Sequence, residues 1–389
     1  MADVALVLTG GGARAAYQVG ALRAISELRR RGTCPFRIFA GVSAGAINAT
    51  SVASGADEFS VATERLAETW RALSPDRVYR TDARKLFAIG SRWIKDLSAG
   101  GVIGSSQINY LLDTTPLRAL LAEAMPISRL PQLFRADVLR GVAVSATSYT
   151  SGLAVTFFDG ARDVQPWFRS TRIGVRQRLR LPHVLASTAI PIFFPPVKVR
   201  GLFYGDGCVR MHAPLSPAIH LGADRILAIG VQSPQAFELP PERTSAPRRE
   251  WLPLSEIAGV LLNAVFLDAL EADVERLERV NRTVAFISPE QRGTNAQPLR
   301  AVECLVLRPT QDLGALAADQ YRRFPRVLRY LLKGIGATGE TGSDLLSYLA
   351  FEPEYVNRLM DLGYADTMRR RSELEAFFDP EEPQRARAG

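Results

Sequence analysis

An α/β fold is predicted, built in three layers with a mainly parallel sheet between two sets of helices, followed by a mostly helical C-terminal extension. Three observations predict it. Short apolar runs recur at 4–8, 36–40, 138–146, 153–158 and 225–231, the pattern of strands covered on both faces. Helical periodicities lie between them, as at 15–30 and 59–73. A unit of strand, glycine turn and helix occurs twice before residue 57, and such alternation places helices on both faces of one sheet.

The first strand, 4–8, ends in glycines. In the helix that follows, Val19, Leu22, Ile25 and Leu28 recur at three-residue spacing, Arg23, Glu27 and Arg29 take the polar positions, and Gly32 ends it. The second strand, 36–40, is closed by Gly41. The small residues of 44–53 then suit a helix packed closely on a sheet. Residues 38–56 carry no charge, but Gly, Ser, Asn and Thr interrupt them, so they read as a buried turn and helix and not as a membrane span. The core is expected to occupy 1–232, with the sheet complete or nearly so by its end. Pro234, Pro240, Pro241, Pro247 and Pro253 make 233–253 an irregular loop. The extension, 254–378, is expected to pack on the core. It reads as an acidic and apolar helix over 261–280, a hairpin flanking 288–300 and a Gly-rich turn at 334–342, and the tail 379–389 is expected to be disordered.

A chain of 389 residues, 47% hydrophobic, is long enough for a sizeable core. Its three cysteines, Cys34, Cys208 and Cys304, are scattered, without the paired spacing of a zinc site, and fit a reducing cytosol. The N-terminal residues include Asp3, lack a basic stretch and reach glycines early, so no export signal is expected. A cytoplasmic protein that meets membranes only peripherally is the resulting expectation. The net charge of +8 suits an anionic partner, and neither zinc-finger spacing nor an aromatic RNA-binding signature points to nucleic acid.

Three constellations carry chemistry. Gly41-Val42-Ser43-Ala44-Gly45 is a G-x-S-x-G sequence between a strand and a helix, a setting that exposes a serine hydroxyl on a sharp turn. A helix-packing turn of small residues has the same composition. Gly10-Gly11-Gly12-Ala13-Arg14 follows the first strand, and its backbone N–H groups can line one concavity for an oxyanion or a phosphate. A dinucleotide fold would want an acidic residue after the second strand, yet no Asp or Glu occurs between Glu27 and Asp57. Asp206, between Gly205 and Gly207, sits on a flexible turn where it is either a reactive carboxylate or a plain turn former.

In this order and spacing the three segments, with Leu185 through Pro191 and Gly222-Ala223-Asp224-Arg225, resemble the patatin-like phospholipases and their cytosolic phospholipase A2 relatives over about residues 3–232. The resemblance implies a patatin-like fold and a lipid acyl hydrolase of the phospholipase A or lysophospholipase type. Ser43 matches the nucleophile, Asp206 its base, and Gly10, Gly11 and Gly12 the oxyanion loop. Gly41, Gly45 and Gly207 support the turns, and Arg14 matches a basic position that steadies the loop or attracts a lipid phosphate. The implied cycle calls for no metal and no cofactor. Its partners are a phospholipid or other lipid ester and an anionic membrane surface, with no nucleic acid. An acyltransferase using the same serine, or a lipid-binding protein of weak activity, shares these motifs. Ala15 and Cys208 depart from the commoner Gly, and Gly or Ala, at their positions.

A Ser-Asp dyad is expected in place of a triad. Of the three histidines, only His212 and His220 follow Asp206, and both fall in the adjoining turn and helix. An aspartate base, with a reference pKa of about 3.9, needs burial to raise it. Phe193, Phe194, Val197 and Phe203 are candidates to desolvate it and line an acyl channel, and equally suit an ordinary core. Residues 321–333 carry four arginines and Lys333 among apolar residues, as in a helix lying on an anionic bilayer or one packed on the domain.

Overall fold

The computed structural model describes residues 3–29, 33–80, 110–234, 254–267, 269–288, 291, 299–334, 336–337 and 342–379. Most of the proline-rich stretch and of the tail, and parts of 288–300 and 334–342, lie outside the described residues.

Ten described strands form one sheet. They are β1 (Val4–Leu8), β2 (Ile38–Val42), β3 (Gly141–Ser148), β4 (Ala154–Gly160), β5 (Trp167–Phe168), β6 (Arg172–Arg176), β7 (Val197–Val199), β8 (Leu202–Asp206), β9 (Arg225–Ile229) and β10 (Glu303–Leu307). The order is β10-β9-β1-β2-β3-β4-β6-β5, with the β7–β8 hairpin attached through β8 to β3. The five strands from β10 to β3 run parallel, whereas β4 and β8 are antiparallel to β3.

Alternation along each strand feeds two cores. Leu6 and Leu8 of β1 point to the larger one, with helices α1 (Ala16–Leu28), α2 (Ala44–Ala53) and α3 (Phe59–Arg71) and the C-terminal helices Ser343–Leu349 and Pro353–Arg369. Ala5 and Val7 point to the other, with Leu221 next to the short helix Ser216–His220 and Leu270, Val274 and Leu277 from the helix Ala269–Ala285. This is the expected three-layer arrangement, with its helical C-terminal region.

Three local expectations change. The strand expected at 36–40 runs on through Gly41 to Val42, because its ladder with β3 continues to Val42 opposite Ser145. The single helix expected over 261–280 is two helices, Leu254–Phe266 and Ala269–Ala285. They serve different layers, since Phe266 packs in the larger core and Leu270 in the other. The hairpin expected around 288–300 is replaced by β10, which pairs in parallel with β9 and so lies across a helical crossover from it.

The basic segment forms a 3-10 stretch, Ala315–Arg323, and a helix, Arg326–Gly334, whose Leu328 and Leu332 are each 2% exposed. These two leucines pack in the core, whereas Tyr330 of the same helix is 77% exposed. Among the described residues no helix is long and apolar enough to cross a membrane.

Candidate active site

The register of β3 explains why residues distant in sequence meet. On one edge of β3, β2 pairs as far as Val42 opposite Ser145, and β8 takes over from Asp206 opposite Ala146. The end of β2 and the end of β8 therefore abut, and Ser43 lies one residue beyond Val42. Its Oγ donates to Asp206 Oδ2 at 2.5 Å.

Ser43 has φ 54° and ψ −131°, in a region a residue with a Cβ rarely occupies. Two things hold it there. Its N–H donates to Ser187 Oγ at 2.9 Å, and that hydroxyl donates to the Ser145 carbonyl at 2.6 Å. Gly45 in turn lets α2 press on the end of β1, since a Cβ there would lie 2.3 Å from the Leu8 carbonyl oxygen. Gly41 and Gly207 bring backbone against Ala46 and the Ser145 carbonyl in the same way.

Asp206 is fully buried. Its N–H donates to the Ala189 carbonyl at 2.8 Å, its own carbonyl accepts from Thr147 Oγ1 at 2.7 Å, and Oδ1 accepts from the Cys208 N–H at 2.9 Å. Burial pushes its carboxyl up to about 7, against the opposing hydrogen bonds from Ser43 and Cys208. Near neutrality the carboxyl therefore lies close to its titration midpoint, with Oδ2 accepting the Ser43 hydrogen bond.

The glycine loop crosses the mouth of this site. Gly12, at φ 56°, lines the same cleft as Ser43. The Gly10 N–H faces the Cys208 sulfur. Among the described residues the Gly11 and Gly12 N–H groups have no backbone acceptor outside the helices and strands. Burial, with the Asp206 carboxylate alongside, drives the Cys208 thiol well above its ordinary pKa, so it stays a neutral packing group. Ala15 has ordinary helical angles, and both departures from the commoner residues fit without disturbing the turn.

Arg14 does not point at the cleft. It is 2% exposed and reaches into the C-terminal region, where Nε donates to Ser347 Oγ at 2.6 Å, Nη2 pairs with Asp344 Oδ1 at 2.8 Å, and the guanidinium lies 4.6 Å from the Tyr348 ring centre. These contacts tie the glycine loop to the C-terminal region and turn the guanidinium into the fold. The Tyr348 backbone also leaves no room for a side chain at Gly12, where a Cβ would lie 2.3 Å from its carbonyl oxygen.

Beside Ser43 opens an apolar cavity lined by Ile47, Trp70, Leu117, Leu121, Ile190 and Phe194, with Phe351 closing one side. Its free volume is about 40 Å³, room for a few water molecules at most. Of Phe193, Phe194, Val197 and Phe203, Phe194 alone is among the residues that line this cavity, and Phe203 is 48% exposed on β8. None of the three histidines bonds to Ser43 or Asp206. His183 caps its own helix, accepting from the Arg180 N–H, His220 stacks on Trp167 at 4.5 Å, and His212 is exposed. Sequence reasoning missed Ser187, Ser145 and Thr147, which hold the pair, although Ser187 lies in the Leu185–Pro191 segment that carried part of the resemblance.

A family model for patatin-like phospholipases matches residues 6–219, more than half of the 389-residue chain, and supports lipid hydrolysis as the general activity. Among solved structures, VipD from Legionella pneumophila is similar at 14% identity and TM-score 0.36, over 96% of this chain and 67% of that one. Human GIVD cytosolic phospholipase A2, in complex with methyl gamma-linolenyl fluorophosphonate, is similar at 16% identity and TM-score 0.45 over 97% of this chain. A second structure of the same human enzyme, with that inhibitor and terbium chloride, gives 16% and 0.42. The chain spans 58% and 59% of those two phospholipase chains. No curated protein matches the sequence. On the extent of the family match, the chain belongs to the patatin-like phospholipase family.

Proposed function

We propose that this chain hydrolyses carboxylic esters of phospholipids or lysophospholipids through a Ser43–Asp206 dyad. The observation that carries this reading is the 2.5 Å hydrogen bond from Ser43 Oγ to Asp206 Oδ2, both buried, on a strained turn beside an apolar cavity. Ser43 Oγ attacks the ester carbonyl while its proton passes to Asp206 Oδ2. The tetrahedral oxyanion is held by the Gly11 and Gly12 N–H groups, with Gly10 shaping the loop. Asp206 returns the proton to the departing alcohol. Water, deprotonated by the same carboxylate, then attacks the acyl-enzyme, and Asp206 passes that proton to Ser43 Oγ as the acyl bond breaks and the fatty acid leaves. The acyl chain enters between Leu117, Leu121 and Phe194, widening the small cavity there to admit it.

The protein meets its substrate at an anionic membrane surface. Around this end of the sheet Tyr149, Ile192, Leu202 and Phe203 are exposed, as are Val260 and Leu261 of the helix Leu254–Phe266, whose Phe266 packs beside Gly10. Apolar side chains in this position suit contact with the lipid interface, and the net charge of +8 favours anionic headgroups. Vesicles of phosphatidylcholine, phosphatidylglycerol and lysophosphatidylcholine, analysed by mass spectrometry, test the reading. Native protein is expected to release free fatty acid and Ser43→Ala is not; equal release by both, or none from any lipid by the native chain, refutes it.

A further inference from the structure

A second pocket lies at the other end of the sheet. Arg140, Gly222 and Val302 line it, and they immediately precede or closely approach the starts of β3, β9 and β10, whereas Ser43 and the glycine loop follow the ends of β2 and β1. Strands of five residues separate the two ends by about 17 Å. The pocket has a free volume of about 460 Å³, within the range of small-molecule sites.

Its charge is unbalanced. Arg140, Arg169, Arg172, Arg276 and Arg300 line it against the carboxylates of Asp163 and Asp273. Three of these arginines are committed: Arg140 to Asp163, Arg276 to Asp273 at 3.1 Å, and Arg300 to Asp224 at 2.9 Å. Asp273 is occupied on both oxygens, since Oδ2 accepts the Leu215 N–H at 2.9 Å. Arg169 and Arg172 make no ion pair among the described residues, and the Arg172 Nε is buried without a hydrogen-bond partner. A buried donor left so is costly, and a ligand that accepts from it removes the cost. Burial, with Arg276 and Arg169 close by, also holds the Arg172 guanidinium below its ordinary pKa against the opposing pull of the Asp273 carboxylate.

The rest of the wall is apolar. Ile219, Leu277, Val280 and Leu299 form one side, and Val280 and Leu299 remain 39% and 50% exposed there. Trp167, stacked on the lining residue His220, stands behind.

From this juxtaposition we propose that the pocket binds a small organic phosphate ester, its phosphate on Arg169 and Arg172 and its apolar body on the Leu277–Val280 side. A guanidinium pair matches a dianionic phosphate in charge and in planar donor geometry. The phosphate comes either from a soluble nucleotide or from a lipid headgroup. Calorimetric titration of the full chain with ADP and with monomeric dihexanoyl phosphatidic acid separates these sources, with adenosine and dihexanoyl phosphatidylcholine as controls. One of the two phosphates is expected to bind saturably at 1:1. Arg169→Gln/Arg172→Gln is expected to weaken it at least tenfold with an unchanged circular dichroism spectrum, and Arg172→Lys to recover part of the loss. No saturable binding of either phosphate up to about 1 mM, a weak Kd for a small-molecule site, overturns the proposal. So does binding that the double variant leaves intact. The readout is binding alone, so its failure is distinct from failure of the proposed hydrolysis at Ser43.

Discussion

Asp206→Asn is expected to lower the turnover of an ester substrate about a thousandfold, the range for loss of a positioned general base, while leaving the fold intact. Asn fills the same volume and its Oδ1 still accepts from the Cys208 N–H, but it cannot take the Ser43 proton. In the native chain, kcat/KM is expected to rise with pH through an apparent pKa of about 7, the position to which burial pushes Asp206, and to level off above it. The same burial sets the sign of a stability effect. The carboxyl titrates near 4 when unfolded and near 7 when folded, so the folded state binds more protons between those values. The stability this contributes is complete below the unfolded pKa and is lost as pH rises through the folded one. Above pH 7 the native protein carries a buried anion, and Asn, being neutral, is expected to stabilise the fold at pH 8 by about 2–4 kcal/mol. The gain should shrink towards pH 4. Steady-state kinetics and thermal unfolding at pH 5 and pH 8 check both halves; full turnover, or a lower Tm than native at pH 8, contradicts the assignment.

Gly45→Ala is expected to damage both stability and rate. Its Cβ would lie 2.3 Å from the Leu8 carbonyl oxygen and 2.4 Å from that of Thr9, and both are backbone atoms at the end of β1. Neither is a flexible side-chain tip that could swing away, so α2 must move off the sheet. Overpacking of this kind costs about 1–3 kcal/mol, and here it acts on the helix that begins directly after Ser43. A displacement of about 1 Å between nucleophile and oxyanion donors is enough for a hundredfold loss of rate. Urea unfolding should show a lower midpoint and the ester assay a fall in kcat larger than any change in KM. A variant with native stability and native kcat would mean that the close approach of α2 to β1 does not set the geometry of Ser43.

The contrast between these two positions marks what was legible in the sequence. Strands such as β1 and β9, and the helices α1 and α3, carry local periodicities strong enough to be read directly, and the serine turn is recognisable because a strand, two glycines and a small-residue helix are contiguous. The meeting of Ser43 with Asp206 is a different kind of fact. It depends on β2 and β8 sharing one edge of β3 at adjacent registers, and no spacing along the chain encodes that. The resemblance of the three segments supplied what the spacing could not.

The Arg14 clamp was illegible for the same reason. Its partners Asp344 and Ser347 lie in the C-terminal region, so an arginine beside a glycine loop read equally well as a ligand for phosphate. In the basic segment, periodicity marked an amphipathic helix but not what its apolar side meets; Leu328 and Leu332 meet the core. The break between Phe266 and Ala269 was hidden because apolar residues continue across it while the layer they face changes.

The central claim is that Ser43 is the nucleophile activated by Asp206, and covalent trapping tests it most directly. Native protein treated with a long-chain fluorophosphonate, digested and sequenced by mass spectrometry, is expected to carry one adduct, on Ser43. The rate of its formation should drop sharply in Asp206→Asn and vanish in Ser43→Ala. An adduct on another residue, or undiminished labelling of Ser43→Ala, would contradict it.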